Sequence, residues 1–318
     1  MKKITLVIPV FNEALAIDKH LPIIVESLTH QPHIDWHILI VDDGSTDATV
    51  TTLQVLQPTY PHLSVLCLNR NFGKEAAIYA GLQHSRHADA VIVMDSDLQH
   101  PPELIPQMVQ LWTQGLQVVE GYKVERGQET WFSRWLANSF YFIFSLLSNL
   151  ELKNHSDFKL LDKTVVHTYC DLPERNRFFR GMVQWMGFTS AQLPFTVPAR
   201  QHGTSTWSRL KLLKYSFTAI MAFSSTLLYL VTFLGVLSFC VGLLISGIAL
   251  YKKFMGSAIG GFTTVILLIF FMSSILMIAL GLIGVYIAKI YDEVKCRPHY
   301  LINWRKSTMQ NQQHDDAL

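Results

Sequence analysis

Along the first two thirds of the chain, short apolar runs alternate with longer stretches of helical periodicity. Ile4 to Val10, His37 to Val41, Leu63 to Leu68, Val91 to Met94 and Gln117 to Tyr122 have strand length. Unbroken apolar runs such as Val91-Ile-Val-Met94 suit strands covered on both faces. Between them, Glu13 to Leu28, Glu75 to Gln83 and Glu103 to Gln114 place apolar residues at helical spacing, the last opened by Pro101-Pro102. Ser45 or Thr46 is the expected cap of a helix after the second strand. Repeated βα units of this length predict an α/β domain with a mostly parallel sheet over residues 1–200. A short helix is expected at Thr164 to Tyr169 and an extended piece at Pro194 to Pro198.

The last third has a different pattern. No charged residue lies between Lys214 and Lys252, nor between Lys253 and Lys289. Each gap exceeds the roughly 20 residues that a membrane-spanning helix needs, so two spans are expected, Leu227 to Leu250 and Phe262 to Ala288, within 227–288. Residues 201–226 read as a basic juxtamembrane amphipathic segment. Trp131 to Leu150, rich in aromatics, reads as a helix lying on the bilayer, with an ordinary core helix as the alternative. Residues 289–318 read as a cytoplasmic tail, polar and disordered beyond Lys306.

Composition sharpens this division. With 50% hydrophobic and 16% charged residues among 318, the chain is too apolar for an ordinary soluble enzyme. A net charge of +2 is too small to suggest a nucleic acid partner, but its distribution is informative. Arg200, Arg209, Lys211 and Lys214 precede the first span, and Lys289, Lys295, Arg297, Arg305 and Lys306 follow the second. The positive-inside rule therefore places both ends, and the α/β domain, in the cytoplasm. Cys67, Cys170, Cys240 and Cys296 are widely separated and form neither a metal pattern nor a disulfide framework. His20, His30, His33, His62, His84 and His87 show no ligand spacing and read as solvated or packing residues.

The chemistry is expected at the carboxyl ends of the strands, where open α/β sheets bind ligands. There the sequence gathers Pro9, Phe11 and Glu13, then Asp42 and Asp43, Arg70 and Lys74, Asp95, Asp97 and Gln99, and Lys123 and Arg126. Asp-x-Asp alone is a weak motif. Carboxylates and cations converging on one sheet edge, however, suit a divalent cation that neutralises a diphosphate. Neither a dinucleotide-binding G-x-G-x-x-G nor a P-loop is present.

Five motifs in order carry a resemblance to a known family: Val7-Ile-Pro-Val-Phe-Asn-Glu13, Val41-Asp-Asp-Gly-Ser-Thr-Asp47, Asn69-Arg-Asn-Phe-Gly-Lys74, Met94-Asp-Ser-Asp-Leu-Gln-His-Pro-Pro-Glu103 and Arg200-x-x-Gly-x-Ser. Together they resemble the family 2 glycosyltransferases of GT-A fold. The match extends to the polyprenyl-phosphate glycosyltransferases, which include bactoprenol glucosyltransferases and are related to dolichol-phosphate mannose synthase. The resemblance implies inverting transfer of a hexose from a nucleotide sugar, UDP being favoured, to undecaprenyl phosphate. It places the protein as a multi-pass homo-oligomer in the bacterial inner membrane. It assigns Pro9, Phe11, Glu13 and Asp43 to the nucleoside, Asp95 to the donor ribose or metal, and Asp97 and Gln99 to Mg²⁺ or Mn²⁺. Arg200 faces the diphosphate, and Asp157 lies near the transferred sugar or acceptor. Arg134, Arg177 and Arg180 are the candidates for holding the acceptor phosphate. Thr206 stands where relatives often have lysine, so Arg209 or Lys211 is the expected substitute there.

Two rival readings remain at this stage. A processive polysaccharide synthase would share the front half of the pattern, but such enzymes carry Gln-x-x-Arg-Trp, and here Gln184 directly precedes Trp185. A non-catalytic membrane subunit that binds nucleotide would have no need to retain Asp95, Asp97, Gln99 and Arg200.

Overall fold

The computed structural model describes residues 1–29, 31, 33–125, 155–196, 226–255 and 261–309. In chain order the first elements are β1 (Lys2–Val10), α1 (Ala14–Thr29), β2 (Ile34–Asp42), α2 (Thr49–Leu56), β3 (Leu63–Cys67) and α3 (Lys74–His84). β4 (Ala90–Val93), α4 (Ile105–Thr113), β5 (Val118–Glu125), β6 (His155–Asp162), α5 (Lys163–Asp171), α6 (Phe179–Trp185) and β7 (Ser190–Thr196) complete the sheet domain. Two long helices follow, α7 (Thr226–Phe254) and α8 (Phe262–Val294).

The described strands form one sheet in the order β3-β2-β1-β4-β6-β5-β7. β1 pairs in parallel with β2 and β4, and β2 with β3, so these four strands bring their carboxyl ends to one edge. Ile4, Leu6, Ile8, Ile38, Ile40, Val65 and Ile92 pack on α1 and α4 in a fully apolar core. The mostly parallel sheet expected from the sequence is correct. What the pattern did not reveal is β6, which runs antiparallel between β4 and β5. His155-Ser-Asp-Phe-Lys-Leu-Leu-Asp162 mixes ionic and apolar residues, so a strand buried along nearly its whole length leaves no clean alternation to read. α6 and the early start of β7 at Ser190 were also missed.

Residues 297–309 belong to the same compact unit as the sheet. Leu68 and Ile302 form an antiparallel bridge. Asn69 N–H donates to the Leu301 carbonyl at 2.8 Å, Asn303 N–H to the Cys67 carbonyl at 2.8 Å and Thr308 N–H to the Val65 carbonyl at 2.9 Å. In return Val65 N–H donates to Thr308 Oγ1 and Cys67 N–H to Ser307 Oγ, both at 2.9 Å. This segment therefore pairs the outward groups of β3, an edge that would otherwise present open hydrogen-bonding positions. The disorder expected beyond Lys306 is corrected as far as Thr308. A tail too short and polar to show periodicity is ordered here by a partner far away in sequence.

The second unit holds α7 and α8. Among the described residues, one stretch, Phe271–Val294, is long and apolar enough to cross a membrane. The expected interfacial helix 131–150, the juxtamembrane residues up to 225, the connection at 256–260, Arg126, Arg134, Arg200 and Thr206 lie outside the described residues.

Candidate functional site

The loops after the parallel strands are tied to one another before they can bind anything. Asn12 adopts φ +55 just after β1. Its N–H donates to Ser45 Oγ at 2.8 Å, and its Oδ1 accepts from Thr46 N–H at 2.8 Å. Asp47 Oδ1 accepts from Thr49 N–H at 3.0 Å, so Asp47, not Ser45 or Thr46, satisfies the start of α2. Ser45 and Thr46 instead join the first loop to the second.

Asp43 joins the second loop to the third. Its two carboxylate oxygens accept from Phe72 N–H at 2.7 Å and Gly73 N–H at 2.9 Å. Gly44, at φ +70, lies so close to the third loop that a Cβ would come within 2.3 Å of the Arg70 carbonyl carbon. Gly44→Ala is therefore expected to cost about 2 kcal/mol or more, read as a lowered melting temperature.

Lys74, the first residue of α3, is the hub of the site. Its ammonium lies 2.5 Å from Asp95 Oδ1 and 2.7 Å from Asp157 Oδ2. Burial works against its charge, but the Asp157 and Asp95 carboxylates hold its pKa above the ordinary lysine range. Arg180 on α6 grips Asp157 from the other side, Nε to Oδ1 at 2.6 Å and Nη2 to Oδ2 at 2.9 Å. Asp157 is 5% exposed. Burial alone would raise its pKa, yet Arg180 and Lys74 hold it well below the usual carboxylate range. The result is a row of alternating charge, Asp95–Lys74–Asp157–Arg180, along the sheet edge. The sequence reading gathers Lys74 at this edge without a role, because its partners lie 21 and 83 residues away.

Glu75, next to Lys74, is pushed up to about 7 by burial and by the nearby Asp157 charge, while its Oε2 accepts from Phe179 N–H at 2.8 Å. A carboxyl whose folded pKa exceeds its unfolded value favours folding at low pH, and that contribution is lost as pH rises toward about 7. Glu75→Gln keeps an acceptor for Phe179 and cannot ionise. Its melting temperature should therefore decline less than that of the native protein between about pH 4.5 and 7.

The turn carrying the Asp-x-Asp motif is held on several sides. Asp97 Oδ1 accepts from Gln99 N–H at 3.1 Å, and Leu98 takes φ +56. Ser96 Oγ donates to Glu13 Oε2, so Glu13, expected to line the nucleoside pocket, also fastens this turn. Pro9 is buried opposite Val41 in the β1–β2 ladder, whereas Phe11 lies just past the strand end and is 42% exposed.

Arg177 departs from expectation. It is buried, and Nη1 and Nη2 donate to the Tyr169 and Leu172 carbonyls at 3.0 and 2.5 Å. Its guanidinium also lies 3.8 Å from the Tyr79 ring centroid. These partners engage the Arg177 guanidinium in packing within the domain. Arg and aromatic density in the sequence cannot separate Arg177 from Arg180, because Arg177 precedes α6 and turns to the Tyr169 and Leu172 carbonyls while Arg180 lies within the helix and reaches Asp157.

Among the described residues, no group of three or more His, Cys, Asp or Glu side chains converges to hold a metal by itself. The donor set still fits a hard divalent cation. Asp95 and Asp97 offer carboxylate oxygens from one turn with Gln99 beside them, and Mg²⁺ is commonly held by one or two carboxylates together with substrate phosphates.

A four-strand parallel edge with an inserted antiparallel strand and carboxylate-bearing loops defines a GT-A-like α/β domain. The chain belongs to glycosyl transferase family 2, whose model matches residues 5–172. It is 35% identical over 300 residues to the uncharacterized glycosyltransferase YkcC of Bacillus subtilis, covering 94% of this chain and 92% of that one. To the bactoprenol glucosyl transferase of Shigella phage SfX it is 33% identical over 306 residues, covering 96% and 100%. Among solved structures it is similar to mannosyl-3-phosphoglycerate synthase from Rubrobacter xylanophilus, at 17% identity and a TM-score of 0.49, covering 70% and 73%.

Proposed function

We propose that this glycosyltransferase moves a hexosyl group from a UDP-sugar to undecaprenyl phosphate, with inversion, on the cytoplasmic leaflet of a bacterial inner membrane. The observation that carries the reading is the Asp95–Lys74–Asp157–Arg180 row at the sheet edge, in a chain similar over 96% of its length to a bactoprenol glucosyl transferase. α7 and α8 are then the two spans that keep the domain at the bilayer, within a membrane homo-oligomer.

The exposed Phe11 ring offers the base a stacking surface beside the loops that Asp43 ties together. Asp95, Asp97 and Gln99 would hold Mg²⁺ or Mn²⁺, which supplies Lewis-acid neutralisation of the diphosphate. Arg200 is the proposed further cation for the same group. An acceptor phosphate oxygen attacks the anomeric carbon, and the bond from that carbon to the donor diphosphate breaks with its electron pair leaving on the nucleoside diphosphate. A phosphate monoester is largely ionised near neutral pH, its second pKa being about 6, so the attack requires little deprotonation. Asp157 suits that chemistry: a carboxylate held well below the usual range is a weak base and acts by orienting Lys74 and Arg180. Those two cations would meet the incoming phosphate, with Arg134 proposed as a further contributor.

The test is a panel of nucleotide sugars offered with undecaprenyl phosphate to the purified full-length protein in detergent. A single lipid-linked monosaccharide, lost on chelation and restored by Mn²⁺, is the expected product. A polymer would support a processive synthase, and no product with any donor a non-catalytic subunit.

A further inference from the structure

We infer that His20 and His100 are positioning residues, each fixing the peptide unit that precedes one of the two aspartates in the Asp95-Ser96-Asp97 turn. This rests on the reading that the turn presents its carboxylates to a metal-bound diphosphate. The turn lies outside helix and strand, so its backbone groups need partners from elsewhere. His100 Nδ1 accepts the Asp95 N–H at 3.1 Å, which fixes the unit joining Met94 to Asp95. His20 Nδ1 lies 2.7 Å from the Ser96 carbonyl oxygen, to which it can only donate, and this fixes the unit joining Ser96 to Asp97. The two imidazoles are thus used in opposite senses: His20 carries its proton on Nδ1, and His100 leaves that nitrogen bare.

The surroundings of His100 hold the ring in this orientation. The ring is 2% exposed. It stacks on Phe158 with centroids 5.3 Å apart and planes 13° apart, and it meets Phe195 edge-on at 6.0 Å. Phe158 directly follows Asp157 in β6, so one aromatic contact links the metal-side turn to the strand that carries Asp157. His20 reaches the turn from α1 and is itself buried. Two such supports, one on a helix and one wedged against strands, hold the carboxylates with the precision that a catalytic constellation needs.

The experiment compares His100→Leu and His20→Leu with His100→Asn and His20→Asn in the full-length protein. Asparagine restores an acceptor oxygen or a donor amide near the position of Nδ1; leucine keeps bulk and offers neither. The readouts are turnover, binding of UDP with Mn²⁺ by calorimetry, and melting temperature. The leucine variants are expected to lose about 10- to 100-fold in turnover and in Mn²⁺–UDP affinity, with asparagine recovering most of the loss. Native turnover and affinity in the leucine variants would overturn the inference, as would asparagine variants as impaired as the leucine ones. Should His100→Leu fail to fold, the His20 pair decides by the same criteria. Asp97→Asn is the control: if it is inactive while both leucine variants behave as native, only the positioning inference fails. If Asp97→Asn itself is fully active, the functional reading fails.

Discussion

Asp97→Asn is expected to fold normally and to lower sugar transfer by on the order of a thousandfold. The substitution keeps an amide oxygen that can accept from Gln99 N–H, so the bond that closes the turn survives. It removes one negative charge from a turn whose other carboxylate already faces Lys74 at 2.5 Å. With Asp95 neutralised from that side, Asp97 is the turn's main electrostatic attraction for a divalent cation, and an amide is a far weaker ligand for a hard ion. Steady-state transfer with undecaprenyl phosphate across a Mn²⁺ titration is the decisive measurement. Turnover within a few-fold of native at low Mn²⁺ would remove Asp97 from the donor site.

Asp157→Asn should damage both the fold and the reaction. Asp157 is buried between two cations, and an amide there turns one of its ends toward Lys74 or Arg180 as a donor facing a donor. Breaking a fully buried pair costs about 3–5 kcal/mol; because Lys74 and Arg180 are each about a third exposed, about 2 kcal/mol is the expected loss here. Transfer should fall further than this instability explains, because Lys74 and Arg180 lose the group that orients them.

The pH dependence gives an independent check. The folded pKa of Asp157 lies well below its ordinary value of 3.8, so its contribution to stability is present above about pH 4 and lost as pH falls through the depressed value. The native protein should therefore lose melting temperature on acidification below about pH 4 more steeply than the Asn variant. Parallel acid limbs for the two would show that the ion pairs contribute nothing to stability.

The α/β class, the parallel strands and the polar edge were legible because they depend on local pattern. Val91-Ile-Val-Met94 followed by Asp95 can be buried only as a strand that stops where the charge begins, and that rule operates within a few residues. Residue patterning likewise located the two apolar segments, now described as α7 and α8. The motif order made the family readable. Chain placement of partners was not readable: the antiparallel β6, the pairing of residues 301–308 with β3, and the burial of Arg177 all depend on contacts between segments far apart in sequence.

The same division runs through the site. Sequence alone fixed which residue types gather at the strand ends, since hydrophobic burial forces each strand to deliver its polar residues at one edge. Only the tertiary structure decided that Lys74 stands between Asp95 and Asp157, that Arg180 and not Arg177 reaches the site, and that His20 and His100 support the turn. Local composition sets what can be buried, but the partners of a buried charge or peptide group are chosen by the packing of the whole domain.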